Sequence, residues 1–235
     1  MTATTTLKTY GLGLERMEAL VKATFEGRED ASGEIFKVGP EEHILVTVKG
    51  KGNLSEKLNL FKEEFIANLG DYFYGQEEDT LEGVVGRLLS SKGLTLSVAE
   101  SLTGGVIADR ITDVSGASNY FLFGVVAYSN QSKVDLLGVP DSTIREKGAV
   151  SAEVASLMAE GVRAKTGSTF GMASTGIAGP AGGTPLKPVG TIFLAVASPR
   201  GTQVEGKLFS GNRRLIKLAT ATHALDMLRR PLLGW

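Results

Sequence analysis

The chain has 235 residues, with 25 basic and 26 acidic side chains and a formal net charge of −1. A chain of this length can bury a sizeable core, and two domains are the first expectation. The near-neutral charge argues against a large electrostatic footprint on nucleic acid or on an anionic membrane, and the absence of cysteine excludes disulfides, thiolate zinc sites and a cysteine nucleophile.

The N-terminal stretch, Met1 to Leu7, is rich in threonine and has neither the basic region nor the apolar region of a signal peptide. Nowhere do about 18 apolar residues, the length of a membrane-spanning helix, follow one another without interruption. We therefore expect a soluble, cytoplasmic protein that has neither a membrane nor a nucleic acid as its partner.

From Gly11 to about Tyr74 the pattern predicts a helix, two strands and a second helix. These elements would form a small α+β unit. Apolar side chains at helical or alternating spacing carry the prediction: Leu14, Met17, Leu20 and Val21, then Ile44, Val46 and Val48, then Leu58, Phe61, Phe65, Ile66 and Leu69. The acidic run from Gln76 to Asp79 marks a change of composition, so we place the domain boundary there, with residues 1–76 before it and residues 77–235 after it.

The second part of the chain alternates between helical and strand patterns, which is typical of an α/β fold. The predicted helices cover Leu81–Leu89, Gly105–Ile111, Ser151–Thr166 and Arg213–Arg229, the last of them ending before Pro231. The predicted strands cover Thr95–Ala99, Tyr120–Tyr128 as a buried strand, Phe170–Thr175, Thr191–Ala197 and Val204–Phe209. We expect a three-layer α/β/α domain with a mixed sheet.

A serine lies in the sharp turn Glu100-Ser101-Leu102-Thr103-Gly104-Gly105, where a strand gives way to a helix. Such a turn can expose a serine hydroxyl and, through the N–H groups beside its glycines, stabilise an oxyanion. The alternative is a serine that only caps the following helix, which is a common role for serine.

A serine nucleophile needs a base, and the two histidines are poor candidates. His43 lies in the small domain and His223 lies within the last predicted helix, and the chain has no Gly-x-Ser-x-Gly sequence. Tyr128 and Lys133 flank the end of the Tyr120–Tyr128 strand, where a lysine in apolar surroundings could be neutral and act as a base. The alternative is a solvated lysine on a helix surface.

A glycine- and proline-rich loop extends from Gly176 to Gly190. It lacks the Lys-Ser/Thr ending of a P-loop, so a nucleoside triphosphate site is not expected. The loop is either a backbone wall around a flat ligand or simply an irregular connection. Arg213 and Arg214 then precede or begin the last helix, where they suit a monoester phosphate or are surface arginines.

These segments together resemble the C-terminal domain of the competence/damage-inducible protein A (CinA) family, over about Thr80 to Arg229. The motifs occur in order: Ala99-Glu100-Ser101-Leu102-Thr103-Gly104-Gly105, Gly124-Val125-Val126-Ala127-Tyr128-Ser129-Asn130, Gly176-Ile177-Ala178-Gly179-Pro180 and Lys187-Pro188-Val189-Gly190-Thr191. Residues Leu7 to Tyr74 resemble the KH-like middle module of the full-length members.

The resemblance implies hydrolysis of nicotinamide mononucleotide to nicotinate mononucleotide and ammonia, with no metal or cofactor, by a homodimer. By motif position, Ser101 is the nucleophile and Lys133, assisted by Tyr128, is the base. The implied substrate-binding residues are Thr103, Gly104 and Gly105 around the oxyanion, Gly176, Ile177, Ala178 and Gly179 in the loop, and Arg213 on the phosphate. This chain has Leu102 and Asn212 where the family commonly has Cys and Asp.

Two other functions remain open at this stage. One is a non-catalytic protein that binds a partner in competence or DNA-damage responses, and the other is an amidase for a different pyridine amide. The KH-like module is not expected to bind RNA, because Gly50-Lys51-Gly52-Asn53 lacks the Gly-x-x-Gly spacing. We take it as a structural or dimerisation element.

Overall fold

The computed structural model describes all residues from Met1 to Trp235 and divides into two compact units, Met1–Val84 and Val85–Trp235. The division falls within a helix that follows the predicted boundary at Gln76. No helix is both long enough and apolar enough to cross a bilayer.

The first unit is an antiparallel four-stranded sheet with two helices. Its elements are β1 (Thr2–Thr9), α1 (Leu14–Phe25), β2 (Ala31–Val38), β3 (Glu41–Lys49), α2 (Leu54–Leu69) and β4 (Phe73–Gln76), with strand order β2-β3-β1-β4. Met17, Ile44 and Phe65 lie at its fully buried centre. The predicted helix, strand, strand, helix order is therefore present, as α1, β2, β3 and α2.

Two strands of this unit were not predicted. β1 is threonine-rich rather than apolar, but threonine is β-branched and suits a strand, and Leu7 in this strand is fully buried. β4 lies immediately before the predicted boundary and pairs with β1. The Met1–Leu7 stretch is therefore a central part of the sheet.

The second unit contains a five-stranded mixed sheet flanked by helices, which confirms the predicted fold class. Its elements, with α3 shared across the division, are α3 (Leu81–Ser91), β5 (Leu96–Glu100), α4 (Val106–Thr112), β6 (Phe121–Val126), α5 (Asn130–Leu137), α6 (Asp141–Lys147), α7 (Ala152–Thr166), β7 (Phe170–Gly176), β8 (Thr191–Ser198), β9 (Gly201–Leu208) and α8 (Arg213–Leu233). The strand order is β6-β5-β7-β8-β9, parallel across β6, β5 and β7 and antiparallel across the rest. Helix α7 packs on Ala99, Ala173 and Ala195, whereas α4 and α8 contact each other and the sheet strands.

Two predictions about these elements were wrong. β6 is an edge strand with alternating exposure, and Leu122 and Val126 are 49% and 46% exposed, because an apolar run does not reveal whether a strand has neighbours on both sides. Helix α8 continues through Pro231 to Leu233. A proline so near the end of a helix removes only one helical hydrogen bond, and the complete burial of Leu232 offsets that loss.

The parallel strands position the candidate site. Because the carboxyl ends of β5, β6 and β7 lie at the same edge of the sheet, the residues that follow these strands meet there. Ser101 follows β5, Tyr128 follows β6, and Gly176 ends β7.

Candidate active site

Ser101 occupies the first position after β5, in the turn that leads into α4. Its N–H donates to the Ser174 carbonyl at 3.0 Å, which fixes the serine beside the end of β7. Gly104 and Gly105 have φ values of +60° and +99°, a region that favours glycine, so this sequence can make the sharp turn. The turn leaves Ser101 9% exposed, at the wall of a pocket.

Glu100 holds the start of α4 with its side chain. Its buried carboxylate accepts hydrogen bonds from the N–H groups of Gly105 at 2.9 Å, Ile107 at 3.1 Å and Ala108 at 2.9 Å. A negative charge is favourable at this end of a helix. The Gly105 N–H, which we expected at an oxyanion, therefore donates to Glu100.

Lys133 extends from α5 to the Ser101 hydroxyl and is 1% exposed. The distance between Lys133 Nζ and Ser101 Oγ is 3.2 Å. The same nitrogen donates to the carbonyls of Ala127 at 2.8 Å, Tyr128 at 3.3 Å and Ser129 at 3.5 Å, and no carboxylate pairs with it. Burial lowers the pKa of this amine below its ordinary value.

A neutral amine can make the two shortest carbonyl contacts. A neutral lysine keeps two N–H groups, which the carbonyls of Ala127 and Tyr128 can accept, and its lone pair then remains for the Ser101 proton. The Ser101 hydroxyl and the Lys133 amine therefore lie within hydrogen-bond reach, which is the geometry that a nucleophile and its base require.

Tyr128 and Arg213 lie together at the mouth of the site. Arg213 donates from Nη2 to the Tyr128 hydroxyl at 2.9 Å and from Nη1 to the Gly179 carbonyl at 2.8 Å. Lys133 contacts the backbone carbonyl of Tyr128 and not its phenol, which is consistent with the 61% exposure of this side chain. Tyr128, which we expected to assist Lys133, therefore bonds to Arg213 through its hydroxyl and accepts from Lys133 through its backbone carbonyl.

Asn212, one of the departures from the family pattern, has a clear structural role. Its side chain accepts from the Leu215 N–H at 3.0 Å and so caps α8. Asparagine and aspartate cap helices about equally well, so this substitution preserves the start of the helix that carries Arg213.

One pocket collects most of the predicted site. It is lined by Ser101, Leu102, Tyr128, Asn130, Lys133, Ala149, Val150, Thr175, Gly176, Ala178 and Arg213. Five predicted residues do not line it: Thr103, Gly104, Gly105, Ile177 and Gly179. The Thr103 hydroxyl bonds to the Ser174 hydroxyl at 2.7 Å, and the Ile177 N–H donates to the Thr191 carbonyl at 2.9 Å. Both residues therefore hold neighbouring strand ends in place without lining the pocket.

Sequence reasoning missed several pocket residues. Asn130 ends the Gly124–Asn130 motif and lies three residues before Lys133, so helical spacing could have placed both on one face of α5. Thr175, at the start of the glycine-rich segment, was not named as a site residue, and its hydroxyl donates to the Ala149 carbonyl at 2.7 Å. Nothing in the composition around Ala149 and Val150 indicates a pocket wall.

Both histidines contact glutamate side chains outside the pocket. His43 contacts Glu41 in the first unit, and His223 Nε2 lies 3.0 Å from Glu205 Oε2. No group of three or more histidine, aspartate or glutamate side chains is arranged to hold a metal ion.

Comparisons with known proteins agree on one family. A family model described as the CinA C-terminal domain matches residues 78–232. A CinA-like protein from Geotalea daltonii is 44% identical over 229 residues, which cover 97% of this chain and 55% of that protein. A CinA-like protein from Geobacter sulfurreducens is 53% identical over 165 residues, covering 70% of this chain and 40% of the relative. The chain thus spans about half the length of the curated relatives it matches.

Solved structures lead to the same family. The competence/damage inducible protein CihA from Agrobacterium tumefaciens aligns with a TM-score of 0.62 and 37% identity, over 66% of this chain and 97% of that chain. The competence damage-inducible protein A from Klebsiella pneumoniae aligns with a TM-score of 0.64 and 30% identity, over 66% and 96%. The chain therefore belongs to the CinA family and carries that family's C-terminal domain in residues 78–232.

Proposed function

We propose that this chain is a nicotinamide-nucleotide amidohydrolase, which converts nicotinamide mononucleotide to nicotinate mononucleotide and ammonia. The observation that carries the proposal is the 3.2 Å contact between the Ser101 hydroxyl and the buried, carboxylate-free amine of Lys133, at the wall of a pocket. Amide hydrolysis through a covalent intermediate needs a hydroxyl and a base in this relation.

In the first half of the reaction Ser101 Oγ attacks the carboxamide carbon while the neutral Lys133 amine takes the hydroxyl proton. The carbon–nitrogen bond then breaks, and Lys133 returns this proton to the leaving nitrogen, which departs as ammonia. The product of this half is an ester between Ser101 and the pyridine carbonyl group.

In the second half a water molecule attacks this ester, again with Lys133 as the base, and Ser101 recovers its proton as the acid is released. Each attack places negative charge on the former carbonyl oxygen. A backbone N–H of the turn after Ser101 that points at this oxygen would stabilise it, and one such donor is typically worth about 3 kcal/mol of the barrier.

The remainder of the pocket suits a flat ring that carries a phosphate. Gly176 and Ala178 present backbone rather than large side chains to the pocket. Arg213 has five N–H donors and uses two of its nitrogens in the contacts with Gly179 and Tyr128, so it keeps donors for an anion. The choice of a pyridine mononucleotide as substrate comes from the family resemblance, and Arg213 fits its phosphate.

The decisive experiment is an ammonia-release assay on nicotinamide mononucleotide, with the wild type beside Ser101→Ala. We expect the variant to keep its circular dichroism spectrum and lose turnover by orders of magnitude, because deletion of a nucleophile removes the covalent step. Ser156→Ala, at a half-buried serine of α7 outside the pocket, is the matched control and should retain wild-type turnover. Retention of more than about a tenth of the activity in Ser101→Ala would exclude this serine as the nucleophile.

A substrate series on the wild type tests the ligand. Nicotinamide mononucleotide should be hydrolysed much faster than nicotinamide riboside or free nicotinamide, since only the mononucleotide offers a phosphate to Arg213. Faster release from an unphosphorylated amide would favour an amidase for another pyridine substrate. No release from any amide would favour a non-catalytic, partner-binding role.

A further inference from the structure

The short connection between α6 and α7 forms one side of the pocket through Ala149 and Val150. This connection belongs to no helix or strand, so neighbouring backbone groups do not pair with its carbonyls in a regular ladder. Partly buried carbonyls need other hydrogen-bond donors. The identity of those donors shows what holds this wall in place.

Side chains satisfy four carbonyls in succession here. The Ser151 hydroxyl donates to Gly148 at 2.9 Å, and the Thr175 hydroxyl donates to Ala149 at 2.7 Å. The remaining two carbonyls accept from the same side chain: Lys187 Nζ donates to the carbonyl of Lys147 at 3.0 Å and to that of Val150 at 2.6 Å. One ammonium group therefore bridges both ends of the connection.

Lys187 comes from the glycine- and proline-rich loop between β7 and β8, and that loop presents it in a defined turn. The Lys187 N–H donates to the Thr184 hydroxyl at 3.0 Å, and the Thr184 N–H donates to the Lys187 carbonyl at 2.9 Å. No carboxylate pairs with the Lys187 ammonium, so its polar contacts are the two wall carbonyls. One of these, from Lys147, ends α6, where the helix dipole favours a positive charge.

We infer that Lys187 is a positioning residue that fastens the glycine-rich loop to the Ala149–Val150 wall and so fixes the width of the substrate pocket. The consequence for a pyridine substrate rests on the proposed function, whereas the fastening itself does not. Ser101 and Lys133 are held by β5 and α5, so loss of the fastening should weaken substrate binding more than it slows the bond-breaking step.

The kinetic test compares Lys187→Met, which keeps the length of the side chain but has no donor, with Lys187→Arg, which can still donate to two carbonyls. For Lys187→Met we expect KM for nicotinamide mononucleotide to rise about tenfold while kcat changes less than about threefold. Lys187→Arg should restore KM to within about threefold of the wild type. Lys165→Met, on the exposed side of α7, removes the same charge elsewhere and should behave as the wild type.

A second readout is independent of catalysis. Hydrogen–deuterium exchange of the free proteins should show faster exchange over residues 148–151 and 182–190 in Lys187→Met, and wild-type rates there in Lys165→Met. If Lys187→Met fails to fold, Lys187→Leu, which also has no donor, replaces it in both experiments.

The outcomes separate this inference from the proposed function. An active wild type whose Lys187→Met variant keeps wild-type KM and exchange would overturn the inference and leave the proposed function standing. An equal fall of kcat and rise of KM would also overturn it, since that result indicates general damage to the site. If the wild type releases no ammonia, the proposed function fails, and faster exchange in Lys187→Met still supports the fastening while unchanged exchange overturns it.

Discussion

The amine of Lys133 must be neutral to take a proton from Ser101, and burial lowers its pKa in that direction. Below this pKa the group is an ammonium without a lone pair, so kcat/KM should fall as the pH decreases through it. Lys133→Arg should be as inactive as Lys133→Ala, because a guanidinium keeps its proton in proteins. Rates of ammonia release across pH for the three proteins test this.

The outcome of the arginine variant decides between two roles for the residue. Near-normal activity in Lys133→Arg would mean that a positive charge is sufficient at this position, and the base would then have to be another group or a bound water. A wild-type profile that stays flat toward acidic pH would contradict the neutral amine as well.

At the scale of single residues, the motifs predicted which side chains lie near one another better than which atoms each one contacts. Ser101 and Lys133 were expected to lie together, and Lys133 Nζ is 3.2 Å from Ser101 Oγ. Tyr128 was expected to assist Lys133, but its hydroxyl bonds to Arg213, and Gly105 was expected at an oxyanion, but its N–H bonds to Glu100. Both contacts depend on how α8 and the strand ends meet, which spacing along the chain does not describe.

At the scale of secondary structure, the contact between α5 and α7 bears on the position of Lys133, which α5 carries. A Cβ atom added to Gly161 of α7 would lie 1.9 Å from the carbonyl oxygen of Leu137, the last residue of α5. Alanine is favoured over glycine in a helix by about 1 kcal/mol. A clash with backbone at this distance forces the helices apart and outweighs that gain.

We therefore expect Gly161→Ala to lower both the melting temperature and kcat, because α5 also carries Lys133. Thermal unfolding and ammonia release measure the two effects. Lys165→Ala, exposed on the same helix, serves as the control and should change neither. A lowered melting temperature with wild-type kcat would show that the position of Lys133 does not depend on this helix contact.

Strong apolar patterns identified most elements of the second unit, and the exceptions have physical causes. β6 was predicted as buried because its sequence is apolar, yet only β5 pairs with it. β1 was not predicted because its side chains are mostly threonine, although its backbone pairs with β3 along its whole length. Which strands are neighbours and which backbones pair depends on the whole fold, so neither can be predicted from the sequence of a single segment.

At the scale of the molecule, the strand order assembles the site. β5 lies between β6 and β7, so the turn with Ser101, the turn with Tyr128 and the glycine-rich loop meet at one edge of the sheet. Composition and periodicity predicted alternating helices and strands but could not supply this order. The family resemblance, in contrast, assigned residues of these distant segments to one site.

All residues that line the candidate pocket lie between Ser101 and Arg213, within the second unit. The solved relatives point in the same direction, because 66% of this chain aligns with 97% of the Agrobacterium tumefaciens protein. We therefore expect a fragment that begins at Gln76 to fold and to release ammonia at a rate within about threefold of the full chain.

Circular dichroism and a cooperative thermal melt would establish folding of this fragment, and the ammonia assay would establish its activity. The same fragment with Ser101→Ala is the control, since any release that survives it comes from a contaminant or from another group. A fragment that melts cooperatively but releases no ammonia, beside an active full chain, would show that residues 1–75 are needed for catalysis. The catalytic site would then depend on both units, and the proposal that residues 77–235 hold all of it would be wrong.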